Sequence, residues 1–251
     1  MLFKSQKIGL MSHINMKAMI FAAGLGTRLK PFTINAPKAL FPVNGKPLLQ
    51  RNIEYLKSYG IQEFVINVHH FADQIEDFLK QNNKFDAEIQ ISDEREELLE
   101  TGGGLLKAKD LLGDKPFLVM NSDILSDMPI DEFIEFHSQH HALISLAVSD
   151  RESTRKLLFD ENNKLCGWKD LRNGDSIIEK PNFKQALAFS GIHIIDPKFF
   201  ELNSFEGKFS IMKPYMELMK NHEIYGFDHT GYKLLDVGKM ESVPLAEEWF
   251  K

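Results

Sequence analysis

Lys17-Ala18-Met19-Ile20-Phe21-Ala22-Ala23-Gly24-Leu25-Gly26-Thr27-Arg28-Leu29 is the stretch that decides the fold. Its first six residues form a short apolar run that predicts a buried strand from Lys17 to Ala22. The run ends directly in a glycine-rich loop, whose two glycines let backbone N–H groups close on a phosphate chain. A Walker loop is excluded because no Gly-Lys-Ser/Thr follows, and the dinucleotide fingerprint fails because Leu29 stands where its third glycine belongs. On the residues alone the loop is either an anion cradle with Arg28 as its clamp or a tight strand-to-helix turn.

Outward from this strand, apolar runs alternate with segments of helical period, the pattern of a mostly parallel sheet with helices on both faces. Helices are expected at Leu48 to Tyr59, Ala72 to Lys80, about Gly103 to Leu112, Asp131 to Gln139, Ile211 to Lys220 and Met240 to Phe250. Strands are expected at Glu63 to Val68, Ala87 to Ser92, Phe117 to Met120, Ala142 to Val148, Ala188 to Ile195, Ile224 to Phe227 and Tyr232 to Val237. A hairpin around Glu161-Asn162-Asn163 would join strands near Leu157 to Phe159 and Leu165 to Trp168. Ligands of open α/β sheets sit beyond the carboxyl ends of strands, so the residues after Ala22, Met120 and Leu235 are the ones to inspect.

The 251 residues are 43% hydrophobic and 26% charged, proportions that allow one well-filled α/β domain. The expected division is an N-terminal extension over residues 1–15 and a single domain over 16–251, with Met11 and Met16 as alternative starts. A net charge of -6 argues against general affinity for a nucleic-acid backbone. No apolar stretch approaches the roughly 20 residues that cross a bilayer, so no membrane partner is expected. The single cysteine, Cys166, cannot form an internal disulfide and suits a reducing cytoplasm. Its expected role is that of a small half-buried side chain.

Two aspartates close apolar strands: Asp123 after Phe117-Leu118-Val119-Met120, and Asp236 after Tyr232-Lys233-Leu234-Leu235. Each alone is an ordinary turn residue; together they form a candidate pair for a magnesium ion. Upstream of both, Leu99-Glu100-Thr101-Gly102-Gly103-Gly104-Leu105 opens a helical pattern with three glycines, which either expose their backbone to a ligand or form a flexible link. His69-His70 follow a strand and point to opposite faces, so they do not readily share one metal. His140-His141 read as a helix end, and Phe133, Ile134 and Phe136 as core.

The run Lys17 to Leu29, with Pro31, Thr33, Pro37-Lys38 and Pro42-Val43, resembles the signature of the sugar-phosphate nucleotidyltransferases. The resemblance implies a Rossmann-like, glycosyltransferase-A-like single domain with a small sugar-binding β subregion, acting on a nucleoside triphosphate and a sugar 1-phosphate with Mg²⁺. It implies that the loop from Ala22 and Ala23 through Gly24, Gly26 and Thr27 holds the triphosphate, that Arg28 neutralises the departing pyrophosphate, and that Lys38 stabilises charge near the α-phosphate. Asn121-Ser122-Asp123 resembles the family's Asn-Gly-Asp, and Asp236-Val237-Gly238 its metal-binding Asp-Val-Gly, with Ser122 in place of glycine and Lys239 where threonine is common.

Glu100-Thr101-Gly102-Gly103-Gly104 resembles the base-binding loop of the small bacterial N-acetylmuramate 1-phosphate uridylyltransferases, which implies base contacts from Glu100 and the amides around Gly102 and Gly103, and UTP over GTP. Ala188-Phe189-Ser190-Gly191-Ile192-His193 resembles the strand that flanks the sugar phosphate, making Asn121, Ser190 and Gly191 candidates on the acceptor side. Glu179-Lys180-Pro181 resembles a motif whose lysine grips the sugar phosphate in longer relatives. The alternatives are a mannose 1-phosphate guanylyltransferase using GTP and a catalytically inactive nucleotide-sugar-binding regulatory subunit. The protein is expected to be a monomer or a homodimer.

Overall fold

The apolar run after Lys17 has no polar face, as a strand covered on both sides requires, and it forms β1 (Ala18–Phe21), buried at every position. The computed structural model describes residues 16–251; the expected extension over 1–15, with Met11, lies outside the described residues. A short hairpin, β2 (Pro42–Val43) and β3 (Lys46–Pro47), leads into α1 (Leu48–Ser58). Then come β4 (Glu63–Val68), α2 (Ala72–Gln81), β5 (Glu88–Asp93), α3 (Glu100–Lys107), α4 (Lys109–Leu112), β6 (Phe117–Asn121), β7 (Ile124–Ser126) and α5 (Ile130–His140). The second half runs β8 (Ile144–Ser149), β9 (Arg155–Phe159), β10 (Leu165–Asp170), β11 (Ser176–Ile178) and β12 (Gln185–Ile195). It closes with α6 (Phe199–Leu202), α7 (Met212–Leu218), β13 (Ile224–Asp228), β14 (Leu234–Asp236) and α8 (Val243–Trp249).

Strands β5, β4, β1 and β6 lie side by side and parallel, with β5 at one edge of the sheet. Beyond β6 the order continues through β12, which runs antiparallel to β6, β8 and β9. β13 pairs parallel with β8, and β10 and β11 extend the sheet past β9. The parallel half thus carries the glycine-rich loop, and the rest of the sheet is antiparallel except for the β8–β13 pair.

Side-chain alternation along β1 builds two cores at once. Ala18 and Ile20 face Leu49, Ile53, Ile75 and Phe133 from α1, α2 and α5. Met19 and Phe21 face Leu105, Leu112 and Tyr215 from α3, α4 and α7. A third, smaller core joins Leu29 of the loop to Val43, Leu48, Leu125, Val237 and Ala246.

Three departures from the expected elements bear on the site. The last strand is shorter than Tyr232 to Val237 and leaves the main sheet to pair with β7 as a two-stranded ribbon, which brings Asp236 opposite Ile124. The helix expected from about Gly103 begins at Glu100, so the three glycines lie within it. β12 carries a bulge: its register with β8 shifts between Phe189 and His193, and Gly191 supplies a φ of 73° there. No helix among the described residues is long and apolar enough to cross a membrane.

Candidate active site

The glycine-rich loop leaves β1 at its carboxyl end and is pinned at three points. The Ala22 amide donates to Asn67 Oδ1 at 2.7 Å. The Thr33 hydroxyl donates to the Gly26 carbonyl at 2.9 Å, and Leu29 is fully buried in the third core. Gly26 adopts a φ of 61°, a left-handed conformation that L side chains resist. Its neighbours explain the second need for glycine: a Cβ there would lie 2.7 Å from Lys38 Cβ and 2.9 Å from Thr33 Cγ2. Gly24, Thr27 and Arg28 remain exposed, Gly26 partly so, while Ala22 and Ala23 are buried beneath them. The loop is therefore a held turn with an open outer face, combining the two readings its sequence allows.

Asp123 follows β6 and is largely buried. Its carboxylate accepts from the Lys38 ammonium at 2.8 Å. The β7–β14 ribbon supplies the second carboxylate, because Val237 donates its amide to the Asp123 carbonyl at 2.8 Å. Asp236 Oδ1 accepts from the Gly238 amide at 2.7 Å. A Cβ built on Gly238 would stand 2.6 Å from Asp236 Oδ1, 2.9 Å from Arg28 Nη2 and 3.1 Å from Asp123 Oδ2. Four charged side chains from four separate stretches of sequence thus meet at one place. Ser122, which departs from the family's glycine, is fully buried here, with its hydroxyl unpartnered and its backbone engaged. Its amide donates to the Phe21 carbonyl at 3.2 Å, and its own carbonyl accepts from Asn52 Nδ2 at 3.0 Å.

Beside the carboxylates lies a cleft of about 320 Å³ lined by Ala23, Gly24, Lys38, Glu100, Thr101, Asn121, Asp123 and Ser210. A wider hollow of about 580 Å³ around Lys80, Lys84 and Glu88 contains none of these side chains.

The base-reading expectation needs correction in its details. The Gly102 amide is not free, since it donates to the Phe209 carbonyl at 2.8 Å, and the Gly103 amide shares the same acceptor at 3.4 Å. The glycines exist because other groups press on them. A Cβ would come within 2.2 Å of the Phe209 ring at Gly102, 2.1 Å of the Gly207 carbonyl at Gly103 and 2.6 Å of Glu94 Oε1 at Gly104. What faces the cleft from this loop is the exposed Glu100 together with Thr101. The Glu100 φ of 59° is unusual for a glutamate and typical of backbone held for a purpose.

Asn67 and Glu94, which the sequence reading passed over, tie the two loops together. Asn67 Nδ2 donates to Glu94 Oε1 at 2.7 Å, and Glu94 Oε2 accepts from the Leu99 amide at 3.2 Å. Burial pushes the Glu94 carboxyl above its usual range. The signal was present: an asparagine inside the apolar Glu63–Val68 strand is a buried polar group that must find partners. His69 joins the same network through Nδ1, 2.7 Å from the Glu94 carbonyl. Among the described residues no three His, Cys, Asp or Glu side chains gather as metal ligands. Cys166 is buried and its thiol is pushed up by that burial, in keeping with a packing role.

On the acceptor side, Gly191 sits against Asn121, whose Nδ2 would be 2.8 Å from a Cβ at that position. Ser190 is buried, and its hydroxyl lies 2.7 Å from His229 Nε2. Lys180 is not brought to this group. It is exposed, and its charge acts on Glu223 and Cys166, Glu223 being at the amino end of β13. The Glu179 and Lys180 amides donate to the Cys166 carbonyl, which fixes the segment alongside β10.

Comparison with known proteins agrees with this geometry. The family model described as nucleotidyl transferase matches residues 17–248. The N-acetylmuramate alpha-1-phosphate uridylyltransferase of Neisseria meningitidis serogroup B is 35% identical over 93% of this chain and 100% of its own. The mannose-1-phosphate guanylyltransferase catalytic subunit beta of Drosophila melanogaster is 31% identical over 89% of this chain, which spans 59% of that protein's length. HddC from Yersinia pseudotuberculosis, solved in complex with GMP-PN, superposes with a TM-score of 0.76 at 26% identity over 94% of this chain and 100% of its own. With the glycine-rich loop, the paired aspartates and nearly the whole length matched, the chain belongs to the nucleotidyl transferase family.

Proposed function

We propose that this protein transfers a nucleoside monophosphate from a nucleoside triphosphate, with UTP favoured, to a sugar 1-phosphate and releases pyrophosphate. The observation that carries the reading is the meeting of Arg28, Lys38, Asp123 and Asp236 beside Gly238 and next to the cleft. Attack of one phosphate on another gathers negative charge at the nucleophile, the α-phosphate and the leaving pyrophosphate, so the protein's task is position and countercharge. Lys38 lies beside Gly24, with its Nζ 3.5 Å from a Cβ at that glycine, where it can meet the α-phosphate of a chain cradled by the loop. Arg28, on the exposed rim, would take the departing pyrophosphate.

Two carboxylates with no nitrogen or sulfur ligand suit a hard cation that keeps waters and takes phosphate oxygens, so Asp123 and Asp236 fit Mg²⁺. When bound, the ion would supply charge neutralisation at the phosphates. Glu100 and Ser210 border the cleft at the base end and are proposed to contact the nucleobase; the engaged Gly102 and Gly103 amides shape its wall. Ser190, Gly191 and Asn121 are proposed to flank the sugar phosphate.

Pyrophosphate release with magnesium, measured for UTP, GTP, CTP, ATP and dTTP against N-acetylmuramate, mannose, glucose and N-acetylglucosamine 1-phosphates, tests the reading. One active pair fixes base and sugar together. The GMP-PN bound by HddC keeps GTP in the panel as the second candidate. Silence from every pair with nucleotide binding intact would turn the assignment to a regulatory subunit.

A further inference from the structure

Arg151 leaves β8 at its carboxyl end and turns under the β12 bulge. Its Nη2 donates to the Phe189 carbonyl at 2.8 Å and its Nη1 to the Glu152 carbonyl at 3.3 Å. Its Nε is buried and has no partner. Burial holds this guanidinium below its usual pKa, and the Asp236 carboxylate works in the opposite direction. A guanidinium that is half removed from water and hydrogen-bonded to carbonyl oxygens alone keeps a donor to spare.

The next two residues of the bulge hold two more polar side chains. Ser190 meets His229 Nε2, and His229 Nδ1 is buried without a partner. Gly191 meets Asn121, two residues before Asp123. Three consecutive bulge residues therefore gather Arg151, His229 and Asn121, and Asn121 also lines the cleft. The unpartnered Arg151 Nε is a donor that a ligand offering oxygen acceptors would satisfy. The fork of Nε and Nη donors suits phosphate better than an ammonium does.

We propose that Arg151 is the residue that receives the phosphate of the sugar 1-phosphate, seated at the β12 bulge, in the role the sequence had given to Lys180. The name of the ligand rests on the functional reading above; the demand for an anion rests on the bulge geometry alone.

Calorimetric titration of mannose 1-phosphate, N-acetylmuramate 1-phosphate and glucose 1-phosphate into wild type, R151Q and R151K, with UTP and GTP titrated separately, tests this. The tightest sugar phosphate should weaken by about tenfold or more in R151Q, as expected for lost charge-assisted hydrogen bonds, and by less in R151K, which keeps charge without the fork. Nucleotide affinity should change by less than about threefold, since the cradle is elsewhere. Unchanged sugar-phosphate affinity in R151Q overturns the assignment, as does an equal loss of nucleotide affinity or a wild type that binds none of the three. If R151Q does not fold, the loss in R151K is read in its place. A wild type that binds both substrates without releasing pyrophosphate would refute the functional reading, while a loss in R151Q would still support Arg151.

Discussion

The Lys38 ammonium and the Asp123 carboxylate lie 2.8 Å apart, joining the segment after the glycine-rich loop to the end of β6 across 85 residues of sequence. Both side chains are mostly shielded from water, 16% and 9% exposed. A charge pair so placed loses much if one partner is neutralised, because the other is left buried and unmatched.

Asp123→Asn and Asp236→Asn should each lower turnover by at least about 100-fold, the scale of removing one preorganised electrostatic group. Both should still fold by circular dichroism, Asp123→Asn with the lower stability because it leaves Lys38 unmatched. Turnover within a few-fold of wild type in either variant would reject the carboxylate pair.

Gly26→Ala should cost about 1–2 kcal/mol of stability through its left-handed φ and the close approach of Lys38 and Thr33. Because the displaced neighbour is Lys38 itself, kcat should fall as well. Denaturant midpoints and initial rates on the same preparation separate the two effects. A stable but inactive variant places the damage at Lys38, and a fully active one removes the loop from the site.

Two buried histidines make the fold sensitive to acid. His137 faces the Ser145 hydroxyl at 2.9 Å, and burial lowers its pKa to about 4. His193 lies 2.6 Å from the Tyr215 hydroxyl, and burial lowers its pKa to about 3. The unfolded chain binds protons at these rings from about pH 6.5 downward while the folded chain does not. Their neutral forms therefore favour folding above that pH, and stability should decline as pH drops toward 3, by about 2 kcal/mol for each ring at about pH 5. Urea midpoints should fall between about pH 7.5 and about pH 5, and His137→Asn should flatten part of the slope. A flat profile in wild type would contradict the burial argument.

Asn83, Lys84, Phe85 and Asp86 take φ values of 48°, 49°, 56° and 51°, four left-handed residues in a row without a glycine. Each carries a steric cost of roughly 1 kcal/mol. Lys84→Gly should therefore raise stability by about 0.5–1 kcal/mol. The position is remote from the carboxylates, so rates should not move. A lower melting temperature would show that the lysine's contact with the Ile89 carbonyl outweighs the backbone relief.

The sequence was informative where one chemical requirement dominated. Strand β4 lies where its apolar run predicts, and Asp123 and Asp236 meet as a pair because each closes a strand. It misled where a long-range contact determined the answer. Gly102 and Gly103 read as part of a ligand-facing loop because the segment that presses on them, Gly207 to Phe209, is about a hundred residues away. Lys180 matched a short motif, but its placement is set by amides bonded to Cys166 and by the hairpin it follows. Arg151 carried no local signal, since its meaning comes from a bulge in another strand.

β12 is hydrogen-bonded to β6 through Ile192–Ile195 and to β9 through Gln185–Leu187. One continuous backbone thus spans from the strand that presents Asp123 to the region flanking Arg151. The two regions are therefore tied by covalent bonds along one strand, across its bulge. Substrates of different length would have to be met away from β12, at exposed residues that line the cleft such as Glu100.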